Sequence, residues 1–263
     1  MKVNWVNRLI AMMAGVAAML LAATGVARGD DLYAITFRNE LLSINPATGA
    51  GTLIGGLDTW MNAYGLSDRG TEIHTFDQEA DCIRQLDPAT GHTLATIDVG
   101  IVEVGEGSIA FRSDGIGFLV TCWGTFYRFD ITVPSSVLVG TTSPGMDGLD
   151  FNGNDVLYGL SQASCDLYTI DETTAIASLL GPTGYTCSLP LAALTFASDG
   201  TLYAVMNDTL YTVNPATGAA TWVGPIGFDE VSGLTAVIPE PGTLSLLAFG
   251  GLALVRRRRY NDG

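Results

Sequence analysis

Lysine is all but absent from this sequence, Lys2 being the only one among 263 residues. Between residues 30 and 238 the only fixed cations are Arg38, Arg69, Arg84, Arg112 and Arg128, set against 25 aspartates and glutamates, a balance of minus twenty. A field of that sign repels nucleic acid and anionic lipid, and it favours solubility, cations or basic partners. Histidine occurs only at His74 and His92. No Cys-x-x-Cys spacing accompanies them, so the pattern of a zinc site is missing. Gly-x-Ser-x-Gly, His-Glu-x-x-His and a phosphate-cradling glycine loop are missing as well. Ser161, Ser164 and Ser188 have no evident partner histidine, which leaves a serine nucleophile without its base. The glycines between Asp98 and Gly107 read as loop flexibility rather than a nucleotide site. The same stretch of chain also lacks any apolar pattern of helical period long enough for a helix.

The two ends are of a different kind. Lys2 and Arg8 bracket a basic start, Leu9 to Ala23 is apolar, and Gly25-Val26-Ala27 supplies small residues for signal peptidase, with Ala27-Arg28-Gly29 as a second cut. A signal peptide over residues 1–29 is expected. At the other end, residues 238–263 form a tail: Pro239, Glu240 and Pro241, an apolar run from Thr243 to Val255, then Arg256, Arg257, Arg258 and Arg259. Each proline lacks a backbone donor and holds its predecessor extended, which suits an exposed processing site. The apolar run makes roughly 20 Å of helix at about 1.5 Å per residue, short of the roughly 30 Å hydrocarbon core. It predicts a short transmembrane helix completed by snorkelling arginines that stay cytoplasmic.

In that order, these three parts resemble the PEP-CTERM tail of exported bacterial proteins. The resemblance covers the tail alone. It implies recognition by exosortase, a membrane transpeptidase. It also implies export through the inner membrane with transient anchoring there, delivery to the cell surface or medium, and association with exopolysaccharide. A plain anchor that is never cleaved is the alternative.

Between the ends, over residues 30–237, three marks recur in phase. The first is a short strand holding Tyr33, Ile73, Phe118, Tyr158 and Tyr203, at intervals of 40, 45, 40 and 45. The second is a turn at Asn45-Pro46-Ala47-Thr48-Gly49, Asp87-Pro88-Ala89-Thr90-Gly91 and Asn214-Pro215-Ala216-Thr217-Gly218, with degenerate copies at Asp130 and Asp171. The third is a Gly-Leu-like strand at Leu66, Ile109, Leu149, Leu194 and Leu234. Asn or Asp, then Pro, then Gly is the chemistry of a tight turn. The runs between turns are four to seven residues long and rich in Tyr, Val, Ile, Leu and Thr, so the body is all β.

Four short strands per repeat of 40 to 45 residues fit a β-propeller blade. The repeat starts out of step at Leu32 and leaves a spare strand at Gly233 to Val237. That displacement predicts five blades, one of them built from both termini, which would close the ring and remove its exposed edges. An open solenoid or a sandwich leaves the spare strand unexplained.

In such a ring the repeated turns share one face and the variable loops the other, and function usually sits in the loops. Four candidate sets fall on or beside that variable face. Trp60, Trp123, Tyr185 and Phe228 could stack on sugar rings or meet an envelope protein. Asn62, Glu106, Asp147 and Glu230 precede the Gly-Leu strands and could converge on a structural calcium, with Leu191 where a fifth ligand would stand. Four cysteines in an exported chain favour disulfides, Cys165 with Cys187 and Cys82 with Cys122 being one of three pairings. The expected function is a non-catalytic binding propeller, exported and sorted. The alternative is a calcium-dependent hydrolase, which resembles lactonase-like propellers only generically.

Overall fold

The computed structural model describes residues 30–58, 61–102, 105–161, 163–186 and 191–237. The expected signal peptide and the tail, including its short helix, lie outside them. The described chain forms twenty strands and no helix. The first blade holds β1 (Asp31–Thr36), β2 (Glu40–Ile44) and β3 (Gly51–Gly56), and the second holds β4 (Ala63–Arg69), β5 (Glu72–Asp77), β6 (Cys82–Leu86) and β7 (Thr93–Ile97). The third runs through β8 (Gly107–Phe111), β9 (Gly117–Thr121), β10 (Thr125–Asp130) and β11 (Ser135–Thr141), and the fourth through β12 (Met146–Phe151), β13 (Leu157–Ser161), β14 (Asp166–Ile170) and β15 (Ala177–Pro182). The fifth comprises β16 (Ala192–Phe196), β17 (Leu202–Met206), β18 (Thr209–Val213) and β19 (Ala220–Pro225), before β20 (Val231–Val237) returns to the first.

Each blade is a four-stranded antiparallel sheet, and the first has the order β20-β1-β2-β3. Leu32 faces Ala236 and Ala34 faces Leu234, so the two ends of the described chain close one blade. The five-bladed ring expected from the displaced strand is what forms, and neither a solenoid nor a sandwich accounts for these pairings.

Burial follows position in the blade. Inner strands β8, β12 and β20 are buried at every residue, whereas outer strands β3, β15 and β19 are half exposed. The apolar residues gather in five cores, each lying between two neighbouring blades. Leu42, Ile44, Val205 and Leu210 fill the one between the fifth blade and the first, and Phe76, Ile83, Leu119 and Phe129 the one between the second and third. Residues 30–238 form one compact unit, and the five cores of the described residues lie within it.

Polar side chains then stitch inner strand to inner strand. The Ser67 hydroxyl on β4 accepts from Phe111 N on β8 (3.1 Å), and Ser108 on β8 accepts from Leu149 N on β12 (3.1 Å). Asp150 on β12 accepts from Phe196 N on β16 (2.6 Å), and Thr195 on β16 accepts from Ala236 N on β20 (3.1 Å). The circle closes where Thr235 on β20 donates to Asp68 on β4 (3.2 Å). Every adjacent pair of inner strands therefore has a bond of this kind.

The repeated turns form a second, outer set of links. Asn45, Asp87 and Asn214 each accept with their side chain from the amide two residues on, at 2.8 to 2.9 Å. Gly49, Gly91 and Gly218 take the left-handed φ that ends the turn. The turn so shaped seats its threonine carbonyl on a glycine of the preceding blade's outer strand: Thr90 on Gly55, Thr217 on Gly181, and Thr48 on Gly224. A Cβ at Gly224 would overlap the Thr48 oxygen. The second blade has no glycine in β7, and the turn of the third blade that follows it, at Asp130, has none either.

Gly224→Ala is therefore expected to pry the fifth blade from the first and cost about 1–3 kcal/mol, the range for forced overpacking. Gly153→Ala, which has open space and ordinary φ, should change stability by less than about 1 kcal/mol. Urea unfolding followed by tryptophan fluorescence measures both, and equal effects would contradict this reading of the turn.

Candidate binding sites at the two channel mouths

The acidic residues expected to converge divide into two groups. The Asn62 amide donates to Glu79 (3.3 Å). Glu230 faces Arg38 at 3.5 Å while Arg38 also reaches Asp229 at 3.2 Å, all three exposed. Neither joins a common site. Glu106 and Asp147 do come together; of the two residues that complete their surroundings, Tyr64 was not anticipated and Cys122 was expected only as half of a disulfide. The Tyr64 hydroxyl hydrogen-bonds Glu106, and burial together with that carboxylate pushes the phenol well above its usual value. The Glu106 carbonyl accepts from Cys122 N at 2.6 Å, which fixes the main chain at this point. Burial first and the neighbouring carboxylates second raise the Cys122 thiol.

Asp147 is the extreme member. Only 4% of it is exposed, and neither carboxylate oxygen has a hydrogen-bond partner. Burial, and after it the charge of Glu106, pushes its carboxyl up to about 8. It sits where the register of β12 against β13 shifts between Met146 and Gly148, a bulge of the sort that re-aims a side chain.

Tyr64, Glu106, Cys122, Gln78 and Trp123 line an open cavity of about 320 Å³ at this mouth. The Trp123 ring packs on Gly105 so closely that a Cβ there would touch it, yet 73% of the tryptophan is exposed. Tyr185 is part exposed and leans on Tyr211, ring centroids 4.5 Å apart. Phe228 is partly buried, packed against the core between the first and fifth blades. Trp60 lies outside the described residues. Trp222, on outer strand β19, is 59% exposed and was not anticipated as a contact residue.

The cysteine pairing needs a correction. Cys82 and Cys122 are both free thiols, so no bridge joins them. Cys82 begins β6, the third strand of its blade, while Cys122 follows β9, the second strand of the next and one step nearer the axis. Cys165 is fully buried and is not among the free thiols. Its expected partner Cys187 lies outside the described residues.

Neither histidine shares a blade with Ser161 or Ser164, and Ser188 lies outside the described residues. His74 is buried in β5 against Phe111 (5.1 Å), held neutral by burial and by Arg69, which bring it down to about 4. His92 pairs with Asp58. Ser161 is wholly buried in the fourth blade, bonded to Ser164.

The opposite mouth carries a second cavity, of about 350 Å³, lined by Asp68, Asp150, Phe111, Phe151, Phe196 and neighbouring turn residues. Burial raises Asp68 to about 6. Burial, then the charge of Asp68, raises Asp150 to about 8 against the pull of three donors. In sequence neither of these two stood apart from the chain's other acids.

Both groups are raised above their unfolded values, so their protonated forms favour the fold. The associated stability is complete below about pH 4 and is lost as pH climbs through about 6 and about 8. The unfolding free energy should therefore fall between pH 5 and pH 9. Asp150→Asn should flatten the upper part of that profile, and a variant profile parallel to the wild type would refute the assignment.

Residues 237–259 match the model of the PEP-CTERM protein-sorting motif. No curated protein matches the chain. Among solved structures it is similar to one described by the statement that the de novo evolutionary emergence of a symmetrical protein is shaped by folding constraints. That match has 18% identity over 80% of this chain and all of the other, with a TM-score of 0.51. It is also similar to a chain in the crystal structure of a nidogen/laminin complex, at 12% identity over 80% of this chain and 98% of that one, with a TM-score of 0.53. These likenesses concern the fold alone. The chain carries the exosortase recognition motif and a five-bladed propeller, which marks it as an exported protein sorted through its C-terminal tail.

Proposed function

We propose that the propeller is a non-catalytic module that binds exopolysaccharide at the cell envelope through the cavity beside Trp123. The observation that carries this reading is the exposed indole braced on Gly105 at the rim of a polar cavity. A flat aromatic face offers apolar contact to a sugar ring, and Gln78 and Glu106 beside it offer hydrogen bonds to hydroxyls. The separation of both histidines from Ser161 and Ser164 supports a binding role over acyl transfer. The motif at residues 237–259 supports delivery to the surface where such a polymer is met. The propeller fold does not choose among functions, since it hosts many.

The test is isothermal titration of the propeller with exopolysaccharide purified from the producing cells. Trp123→Ala should weaken binding about fivefold or more with no change in melting temperature, the loss of one stacked ring being worth about 1 kcal/mol or more. Unchanged affinity would remove the cavity from the account. Hydrolysis of esters or lactones by the wild type that disappears in Glu106→Gln would overturn the non-catalytic reading.

A further inference from the structure

We infer that the mouth carrying Trp123 holds a hard divalent cation of the calcium class between the carboxylates of Glu106 and Asp147. The inference goes beyond polysaccharide binding and stands without it. Its first support is Asp147, almost wholly withdrawn from water with both oxygens unpartnered. A buried carboxyl group without donors is costly in either protonation state, and the cost is met only by a counter-charge or donors from elsewhere.

The arginines among the described residues do not supply them. Arg38 is paired with Asp229 and Glu230, Arg69 with Glu72, Arg84 with Asp77, and Arg112 with Asp114 and Glu172. Arg128 lies on β10 and acts on Asp114. Among the described residues, Asp147 has no positive partner.

The chemistry of the surroundings selects the ion. Two carboxylates and the Tyr64 hydroxyl are hard oxygen donors, suited to calcium rather than to zinc, which prefers nitrogen and sulfur. No group of three His, Cys, Asp or Glu among the described residues is arranged to hold a metal. The protein therefore provides only part of the shell, and water in the cavity provides the rest. Calcium accepts six to eight oxygens in irregular geometry, whereas magnesium demands a near-regular octahedron. A shell of this kind belongs with weak extracellular sites, which bind at about 10⁻⁴–10⁻³ M. Asp147 stands at a bulge in β12, and Glu106, just before β8, has its main chain bonded to Cys122 N, so neither carboxylate hangs on a free loop.

The experiment uses the propeller, residues 30–238, stripped with EDTA and titrated with calcium chloride while thermal unfolding is recorded. A specific site raises the melting temperature in proportion to the logarithm of the ion concentration once it is occupied. Asp147→Asn and Glu106→Gln should each weaken calcium affinity about tenfold or more, on the scale of losing a ligand or its support. Glu230→Gln and Asn62→Ala should leave the shift as it is. Should Asp147→Asn fail to fold, Glu106→Gln, whose side chain lines the open cavity, carries the test alone. A melting temperature insensitive to calcium up to about 10 mM, above the weak extracellular range, would overturn the inference. So would a shift that survives Glu106→Gln, or one abolished by Glu230→Gln.

Discussion

The closure of β20 against β1 is the constraint on which the rest depends. Without it the first blade has three strands, the core between the first and fifth blades loses Val231 and Leu234, and two sheet edges face solvent. Closure also completes the circle of side-chain bonds, because Thr195 needs Ala236 N and Asp68 needs the Thr235 hydroxyl. Each of those bonds is worth about 1 kcal/mol on its own. Their larger consequence is geometric: they hold five inner strands at one radius, and the two mouths exist because the strands cannot drift.

Outer closure works by a different device. Three repeated turns set a carbonyl on a glycine of the neighbouring blade, and only glycine lets the two backbones approach so closely. The fourth blade does this with Ala175 in left-handed φ, its Cβ 3.2 Å from the position a Cβ would take at Gly140. At the boundary of the second and third blades both partners have changed together, leaving neither the turn glycine nor the strand glycine. Contact and its absence thus run in pairs around the ring.

Much of this was legible in the sequence because each device has a fixed chemical signature. Asn-Pro-Ala-Thr-Gly can only be a turn, and a strand displaced from one end of the repeat to the other has to pair with the blade it left. The site was less legible. Glu106 and Asp147 were singled out by their place before the Gly-Leu strands, but Asn62 and Glu230 occupy similar places and turn to Glu79 and Arg38. Side-chain partners on loops depend on neighbours far apart in sequence, as Arg38 and Glu230 are. Tyr64 gave no signal at all and Cys122 stood out only as half of an expected bridge, since a tyrosine in a strand and a cysteine after one are ordinary residues until the ring sets them against the same carboxylate. The expected bridge between Cys82 and Cys122 failed for the same reason: adjacency of blades says nothing about radius within them.

The two mouths divide the molecule's polar interior into unlike halves. At one, Asp68 and Asp150 are satisfied by the circle of bonds and serve the fold. At the other, Asp147 has no hydrogen-bond partner among the described residues and lies near the charge of Glu106. The central claim is that one closed ring holds both. Native-state hydrogen exchange on the propeller tests it most directly. If the ring closes as described, the amides of β1 and β20 exchange only with global unfolding, at the same free energy as those of β8 and β12. Exchange of β20 through a separate, lower-energy opening, with β8 and β12 still protected, would contradict the account.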